Sequence, residues 1–414
     1  MVSQQAGRLL AGASALAGAH FTAEADPYRP SANPDGYVNL GTAENRLMWD
    51  MLAPRLRAPR PLTEADVRYG PLFGTTALRT AVAGFLARRL AVPVSADDLL
   101  ILAGATAALD AIASILCDPG EAIAVPVPYY GALDADLTGR SHATLLPVGP
   151  DEGGDPAGAR LPSAAATAGA IERVRAAGHP VRALVLTSPH NPLGRVYRAA
   201  ELHEIAGVCA DLDLDLVADE VYANCAFDGP TYTSVLHLPA RVIDPDRVHM
   251  IWGFAKDFAL PGFKVGVLHT RHPEVRAAAR ELAWFAPVST DTQAVLCQLL
   301  SDRAWLDGFG AASRARLADS YTRTAGLLVA AGIPYLPAEA GFSIWMDLRR
   351  WLGGDSFDAE RALWRRLFDD GRVSVPPGEV FHSAQPGWFR LCHTVDATTV
   401  REGIDRIGRV LACA

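Results

Sequence analysis

Through the middle of the chain, short apolar runs alternate with helical stretches. This alternation constrains the fold more than any other feature. Residues 99–102, 122–126, 183–187, 214–218, 249–252 and 265–269 each read as a strand that is apolar at nearly every position. Such strands belong in a sheet covered on both faces. Separated by helices and by loops rich in Pro, Gly, Asn or Asp, they predict an open α/β sheet, with ligands bound beyond the carboxyl ends of its strands. A Gly/Ala/Pro-rich loop is expected at 151–170, before a helix near 171–177. After a composition shift at 302–313, a long helix, two strands (341–348 and 388–393) and a terminal helix predict a separate α+β lobe.

Half of the 414 residues are hydrophobic, enough for two cores. A net charge of −8 with no basic run argues against a nucleic-acid partner. The six cysteines (117, 209, 225, 297, 392 and 413) are scattered, without a metal-type spacing. They read as free thiols of a reducing, cytoplasmic compartment. The Ala-rich segment 9–19 lacks a basic leader and reads as an amphipathic helix bracing the domains, in preference to a signal peptide. No apolar run reaches membrane-span length.

Of the 38 basic residues only two are lysine, Lys256 and Lys264. A chain that uses arginine almost everywhere keeps lysine where guanidinium cannot serve, and only an amine forms a Schiff base with an aldehyde. Both lie between Trp252 and Gly266, a stretch that reads as a cofactor-anchoring loop.

Other candidates fall at the ends of the expected strands. Gly104, Ala105 and Thr106 open a helix after the run at 99–102. Helix-start N–H groups bind phosphate and Thr106 adds a hydroxyl, although small residues also serve close packing there. Tyr129 and Tyr130 end the run at 122–126; one of them stacks on a flat ring, or both pack in the core. Asn191 stands in a turn stiffened by Pro189, Pro192 and Gly194, either aimed at a ligand or in a plain connection. Asp219 and Tyr222 follow the run at 214–218. A buried carboxylate there needs a partner, either a protonated ring nitrogen or an arginine. Arg390 lies inside an apolar strand, and its fork suits a substrate α-carboxylate.

In order, a phosphate cup, a ring stacker, Asn, Asp-x-x-Tyr, Lys and a distant Arg form the set that pyridoxal 5′-phosphate needs to act on an α-amino acid. On this reading Ala105 and Thr106 hold the phosphate, and Asn191 and Tyr222 the phenolic oxygen. Asp219 keeps the ring nitrogen protonated, Lys256 forms the Schiff base, and Arg390 holds the substrate carboxylate.

These residues are joined by further motifs: Asn39 to Leu47 (Asn-Leu-Gly-Thr-Ala-Glu-Asn-Arg-Leu), Tyr69 to Gly74, His190 to Gly194, Leu260-Pro-Gly262, Trp345 to Arg349 and Pro386 to Arg390. Together they make the chain resemble fold-type I pyridoxal phosphate enzymes. Among these it is most similar to the 1-aminocyclopropane-1-carboxylate (ACC) synthase branch of the class I/II aminotransferases. The resemblance implies an α/β large domain on a mixed, mostly parallel seven-stranded sheet, with a smaller α+β domain. It implies a division into 1–60 (N-terminal arm and part of the small domain), 61–305 (large, cofactor-binding) and 306–414 (small). It also implies a homodimer with shared active sites, in which Tyr69 reaches the neighbouring subunit's cofactor phosphate and Tyr130 stacks on the ring. Glu44 matches a family glutamate near the substrate side chain, which in ACC synthases is the sulfonium end of S-adenosylmethionine. A carboxylate there favours a cationic substrate.

The chain also departs from the family pattern. Gly253 and Ala255 replace hydroxyl residues before the Schiff-base lysine, Lys264 replaces a phosphate-binding arginine, and Leu72 replaces a tyrosine. In so lysine-poor a chain Lys264 reads as selected, as a less bulky phosphate contact or a second amine. Leu72 argues against simple cyclopropane formation.

Three activities share this residue set. The first is α-deprotonation of S-adenosylmethionine and γ-elimination of methylthioadenosine. It gives a cyclopropane or a vinylglycine-type species that a second substrate, even a pyridinium such as NAD, captures in natural-product biosynthesis. The second is transamination of an α-amino acid, with Glu44 opposing a dicarboxylate. The third is C–S β-elimination.

Overall fold

The computed structural model describes residues 2, 6, 7, 10, 15–60, 62–150, 161–227 and 232–413. Twelve strands occur among them: β1 (Val38–Asn39), β2 (Leu99–Leu102), β3 (Ala122–Pro126), β4 (Thr144–Val148), β5 (Val181–Thr187), β6 (Asp215–Asp219), β7 (Val248–Gly253), β8 (Gly266–Thr270), β9 (Tyr335–Leu336), β10 (Ser343–Asp347), β11 (Val373–Ser374) and β12 (Trp388–Cys392).

Seven of them form one sheet, in the order β2-β8-β7-β6-β5-β3-β4. The pairs from β4 through β7 are parallel, and β8 is antiparallel to both β7 and β2. Period-two alternation divides each strand between two cores. Leu99 and Ile101 join one, with Leu216 and Met250; Leu100 and Leu102 join the other, with Val217 and Ile251. Both faces are therefore covered, which is why these strands carry no polar side.

The expected strands are found within one or two residues of their places. Thr144–Val148 was not expected as a strand. It is a partly exposed edge strand, and Pro147 within its apolar run argues against a strand reading. The helix expected near 171–177 begins earlier, at Ala164, where Ser163 accepts a hydrogen bond from the Ala166 N–H as its cap. Residues 151–160 of the expected loop lie outside the described residues. So do residue 9 and residues 11–14 of the expected N-terminal helix, which is described as Ala15–Ala25.

A second, three-stranded antiparallel sheet has the order β12-β10-β9. Its core gathers Ile344, Met346, Phe389 and Ile404 with Val38 and Leu40 from the opposite end of the sequence. β1 pairs with β11 to make that connection. The helix Arg303–Ala330 serves both units: Leu306 and Phe309 pack in a core of the large sheet, Leu328 in the core of the small one. Among the described residues no helix is long and apolar enough to cross a membrane.

Candidate active site

Sheet polarity explains why distant residues meet. β5, β6 and β7 run parallel and end at Thr187, Asp219 and Gly253. Because β8 is antiparallel, its first residue Gly266 faces Gly253 on one side and Leu102 on the other. The loop after β2, the loop carrying Lys256 and the residues before β8 therefore share one end of the sheet. A cavity of about 400 Å³ opens there, lined by Glu44, Ala105, Thr106, Tyr130, Asn191, Asp219, Tyr222, Lys256, Lys264 and Arg390. Every expected site residue is thus brought together except Tyr69, which is fully exposed and outside the lining.

Gly104 caps the helix Ala105–Leu116 at φ +96° with no capping side chain, so the Ala105 and Thr106 N–H groups are left for another acceptor, while the Ala107 N–H donates to the Gly104 carbonyl. Lys264, itself left-handed at φ 51°, closes over this turn. A Cβ at Gly104 would lie 3.3 Å from the Lys264 Nζ. A Cβ at Gly266 would lie 2.3 Å from the Gly104 carbonyl carbon and 2.6 Å from the Ala105 nitrogen. The cup exists because these positions carry no side chain. Gly266→Ala is expected to displace that backbone, costing about 1–3 kcal/mol, and to weaken cofactor binding about tenfold or more. Fluorescence titration of cofactor into apoprotein measures this; unchanged affinity would place the phosphate elsewhere.

One cup residue escaped sequence reasoning. Asp136 lies in the short helix Leu133–Thr138 beside Asp134, and the pair reads as surface acid. Asp136 instead lines the cavity. Burial lifts its carboxyl to about 6, against a hydrogen bond with Thr106 and the charge of Lys264. A carboxyl in that range can meet an anion in its neutral form.

Asp219 is buried at the end of β6, where it accepts one hydrogen bond, from the Val221 N–H at 3.2 Å. Burial raises it to about 7. A carboxylate with one donor and no ion pair among the described residues is a suitable partner for a cation. Lys256 follows β7, on the four-residue helix Phe254–Asp257. Its Nζ donates to the Ala43 carbonyl at 2.6 Å and lies 5.8 Å from the centre of the Tyr222 ring. Burial, above all, holds the amine below the ordinary lysine range.

Arg390 comes from β12, opposite Trp345. Its terminal nitrogens donate to Asn191 Oδ1 at 3.0 Å and to the Gly41 carbonyl, while its buried Nε has no partner. Arg390 itself lines the cavity, where a guanidinium suits a ligand carboxylate. Glu44 is held at 3.3 Å by the half-exposed Arg46, which also meets Glu24. The N-terminal helix contributes Ala17 and His20 to the lining, with His20 Nδ1 at 2.7 Å from Thr42 Oγ1. The expectation for that helix was a brace; its place against the cavity had no readable signal.

Behind Lys256, Asp257 is a buried acceptor for Trp252 Nε1 at 2.7 Å, Asn224 Nδ2 at 2.6 Å and the Asn224 N–H at 2.9 Å. Asp257→Ala would leave three buried donors without partners, at about 1–3 kcal/mol each. Its urea midpoint should fall by the equivalent of about 3–5 kcal/mol, a loss that an exposed carboxylate would not cause.

These side chains fit pyridoxal 5′-phosphate: an uncapped helix start beside a lysine for the phosphate, a buried carboxylate short of a cation for the ring nitrogen, and a buried amine for the aldehyde. Among the described residues there is no His/Cys/Asp/Glu cluster able to hold a metal ion.

Comparison with known proteins agrees. The sequence profile of the family described as aminotransferase class I and II matches residues 36–407. The chain is 36% identical to 1-aminocyclopropane-1-carboxylate synthase 4 of Oryza sativa subsp. japonica, over 93% of this chain and 84% of that one. It is 35% identical to the human 1-aminocyclopropane-1-carboxylate synthase-like protein 1, over 94% of this chain and 78% of that one. Its fold matches aspartate aminotransferase from Thermus thermophilus with a TM-score of 0.80, at 22% identity and 99% coverage of both chains. The chain therefore belongs to the class I and II aminotransferase family, as an ACC synthase-like, fold-type I enzyme whose cofactor is pyridoxal 5′-phosphate.

Proposed function

We propose that this enzyme acts on a cationic α-amino acid, S-adenosylmethionine in the first place, and releases methylthioadenosine from its γ-carbon. The observation that carries this reading is that one cavity holds both Arg390, with an unpartnered Nε, and the carboxylate of Glu44. A zwitterion with a positively charged side chain matches that pair of charges. The relatives named as ACC synthases support the same substrate.

Bound in this cavity, the cofactor supplies an aldehyde carbon and a conjugated ring that takes up the electrons released at the substrate α-carbon. Arg390 binds the α-carboxylate. Lys256, whose proton affinity burial lowers, removes the α-proton at Nζ, and the Ala43 carbonyl orients it. Asp219 would pair with the ring nitrogen. Asn191 and Tyr222 would hold the ring's oxygen, Tyr130 would pack on the ring, and Ala105, Thr106 and Lys264 would hold the phosphate. Glu44 steadies the sulfonium.

We read the enzyme as a homodimer, with Tyr69 completing the neighbour's site. Its full exposure, together with that of Val67, Trp284 and Phe285, supports an unfilled contact face in the single chain. We further propose that the four-carbon fragment passes to a second substrate, such as the pyridinium of NAD, in natural-product biosynthesis. Leu72, Gly253 and Ala255, which depart from the cyclopropane-forming pattern, support that step.

The test is mass spectrometry of cofactor-loaded enzyme incubated with S-adenosylmethionine. Release of 5′-methylthioadenosine above a Lys256→Ala control supports the reading. Amino transfer to a 2-oxo acid without such release overturns it.

A further inference from the structure

A second cavity, of about 260 Å³, lies between the helices Thr76–Leu90 and Arg303–Ala330 and shares no lining residue with the active site. Three guanidinium groups line it, those of Arg88, Arg89 and Arg314. In a chain of net charge −8 such a gathering calls for a counter-charge. The protein supplies little. Arg88 comes within 3.6 Å of Asp307, which is about three-quarters exposed and screened by solvent. Arg89 donates its Nε to Asn224 Oδ1, a neutral acceptor. Among the described residues neither Arg89 nor Arg314 forms an ion pair. Asp257, the other acid in the lining, already accepts from Trp252 and twice from Asn224. Burial and the neighbouring Arg89 both lower Arg314 from the ordinary guanidinium range, as expected of like charges held together with no anion between them.

We propose that this pocket is a second anion site that takes a phosphate-type oxyanion, with Arg89 and Arg314 as its main ligands. Guanidinium forks match the oxygens of such a group in geometry as well as charge. The site stands on its own and does not depend on which amino acid the enzyme turns over. It lies one hydrogen-bonded residue from the active-site loop, since Asn224 joins Arg89 to Asp257, which follows Lys256 in the chain.

Titration calorimetry of the cofactor-loaded enzyme with inorganic phosphate, at ionic strength balanced with chloride, tests it. The loaded enzyme is required because its own phosphate cup is then filled. Saturable binding is expected in the parent and at least about tenfold weaker binding in Arg314→Ala, the loss of one charge-assisted pair. Gly310→Asp is a second variant: its Cβ would lie 3.4 Å from the Arg314 Nη1, so its carboxylate occupies the site, and aspartate is no worse than glycine within a helix. It should abolish binding while thermal unfolding of the enzyme is preserved. Absence of saturable binding in the parent, or equal affinity in both folded variants, overturns the proposal.

Discussion

Lys256→Ala is expected to lower turnover by about 10³-fold or more, the largest effect of any single change in this chain. Two functions are lost with one side chain: the amine that anchors the cofactor and the base that takes the α-proton. General-base catalysis alone accounts for about 10²–10⁴-fold. The position is specific. Nζ rests 2.6 Å from the Ala43 carbonyl, and burial lowers the amine's affinity for a proton, which favours its free-base form. Lys264 lines the same cavity and is the one other side-chain amine in the chain. Borohydride reduction followed by peptide mapping separates the two. The parent should carry the label on Lys256 and the variant should carry none. A fully labelled, active Lys256→Ala enzyme would transfer the anchoring role to Lys264.

The second large effect is at Asp219, where activity and apoprotein stability should move in opposite directions. Burial raises this carboxyl from 3.8 to about 7. The folded apoprotein thus keeps a proton that the unfolded chain gives up near pH 4. Stability from this group is complete below about pH 4 and is lost as pH rises through about 7, a change of about 4 kcal/mol. Asp219→Asn removes the titration. Above pH 7 the apoprotein variant should therefore melt higher than the parent, with a flatter dependence on pH. With cofactor bound the order reverses, because the ring nitrogen loses its anion; turnover should fall by about 10²–10³-fold. Melting curves of apoprotein from pH 4 to 8, set beside turnover of the loaded enzyme, measure both. A variant with the parent's pH slope would show that Asp219 is solvated and not the group that meets the ring.

The sheet was legible because its strands are buried on both faces. Leu99–Leu102 has no polar residue, and a run of that kind has few other places to go. Asp219, Lys256 and Arg390 were legible because each puts a charge where the surrounding residues are apolar. Asp136 was not, because a carboxyl on a short helix looks the same whether the helix faces water or a cavity. The edge strand Thr144–Val148 was missed for a different reason, since Pro147 interrupts its apolar run. The pocket between Arg88, Arg89 and Arg314 joins residues more than two hundred positions apart, and only the packing of two helices shows that they meet. Glu44 was located, but its link to Arg46 and Glu24 depends on how the N-terminal helix lies.

One consequence follows from the placement of the two lysines in the active-site cavity. Carbonyl compounds, acyl donors and ubiquitin-type conjugation all attack side-chain amines, and the exterior of this protein presents guanidinium groups in their place. An excess of free aldehyde therefore finds no side-chain amine to decorate outside the catalytic cavity. Loading the enzyme with its reactive cofactor is chemoselective by composition, and an amine-directed reagent that reacts with a lysine reports on the occupancy of that one cavity.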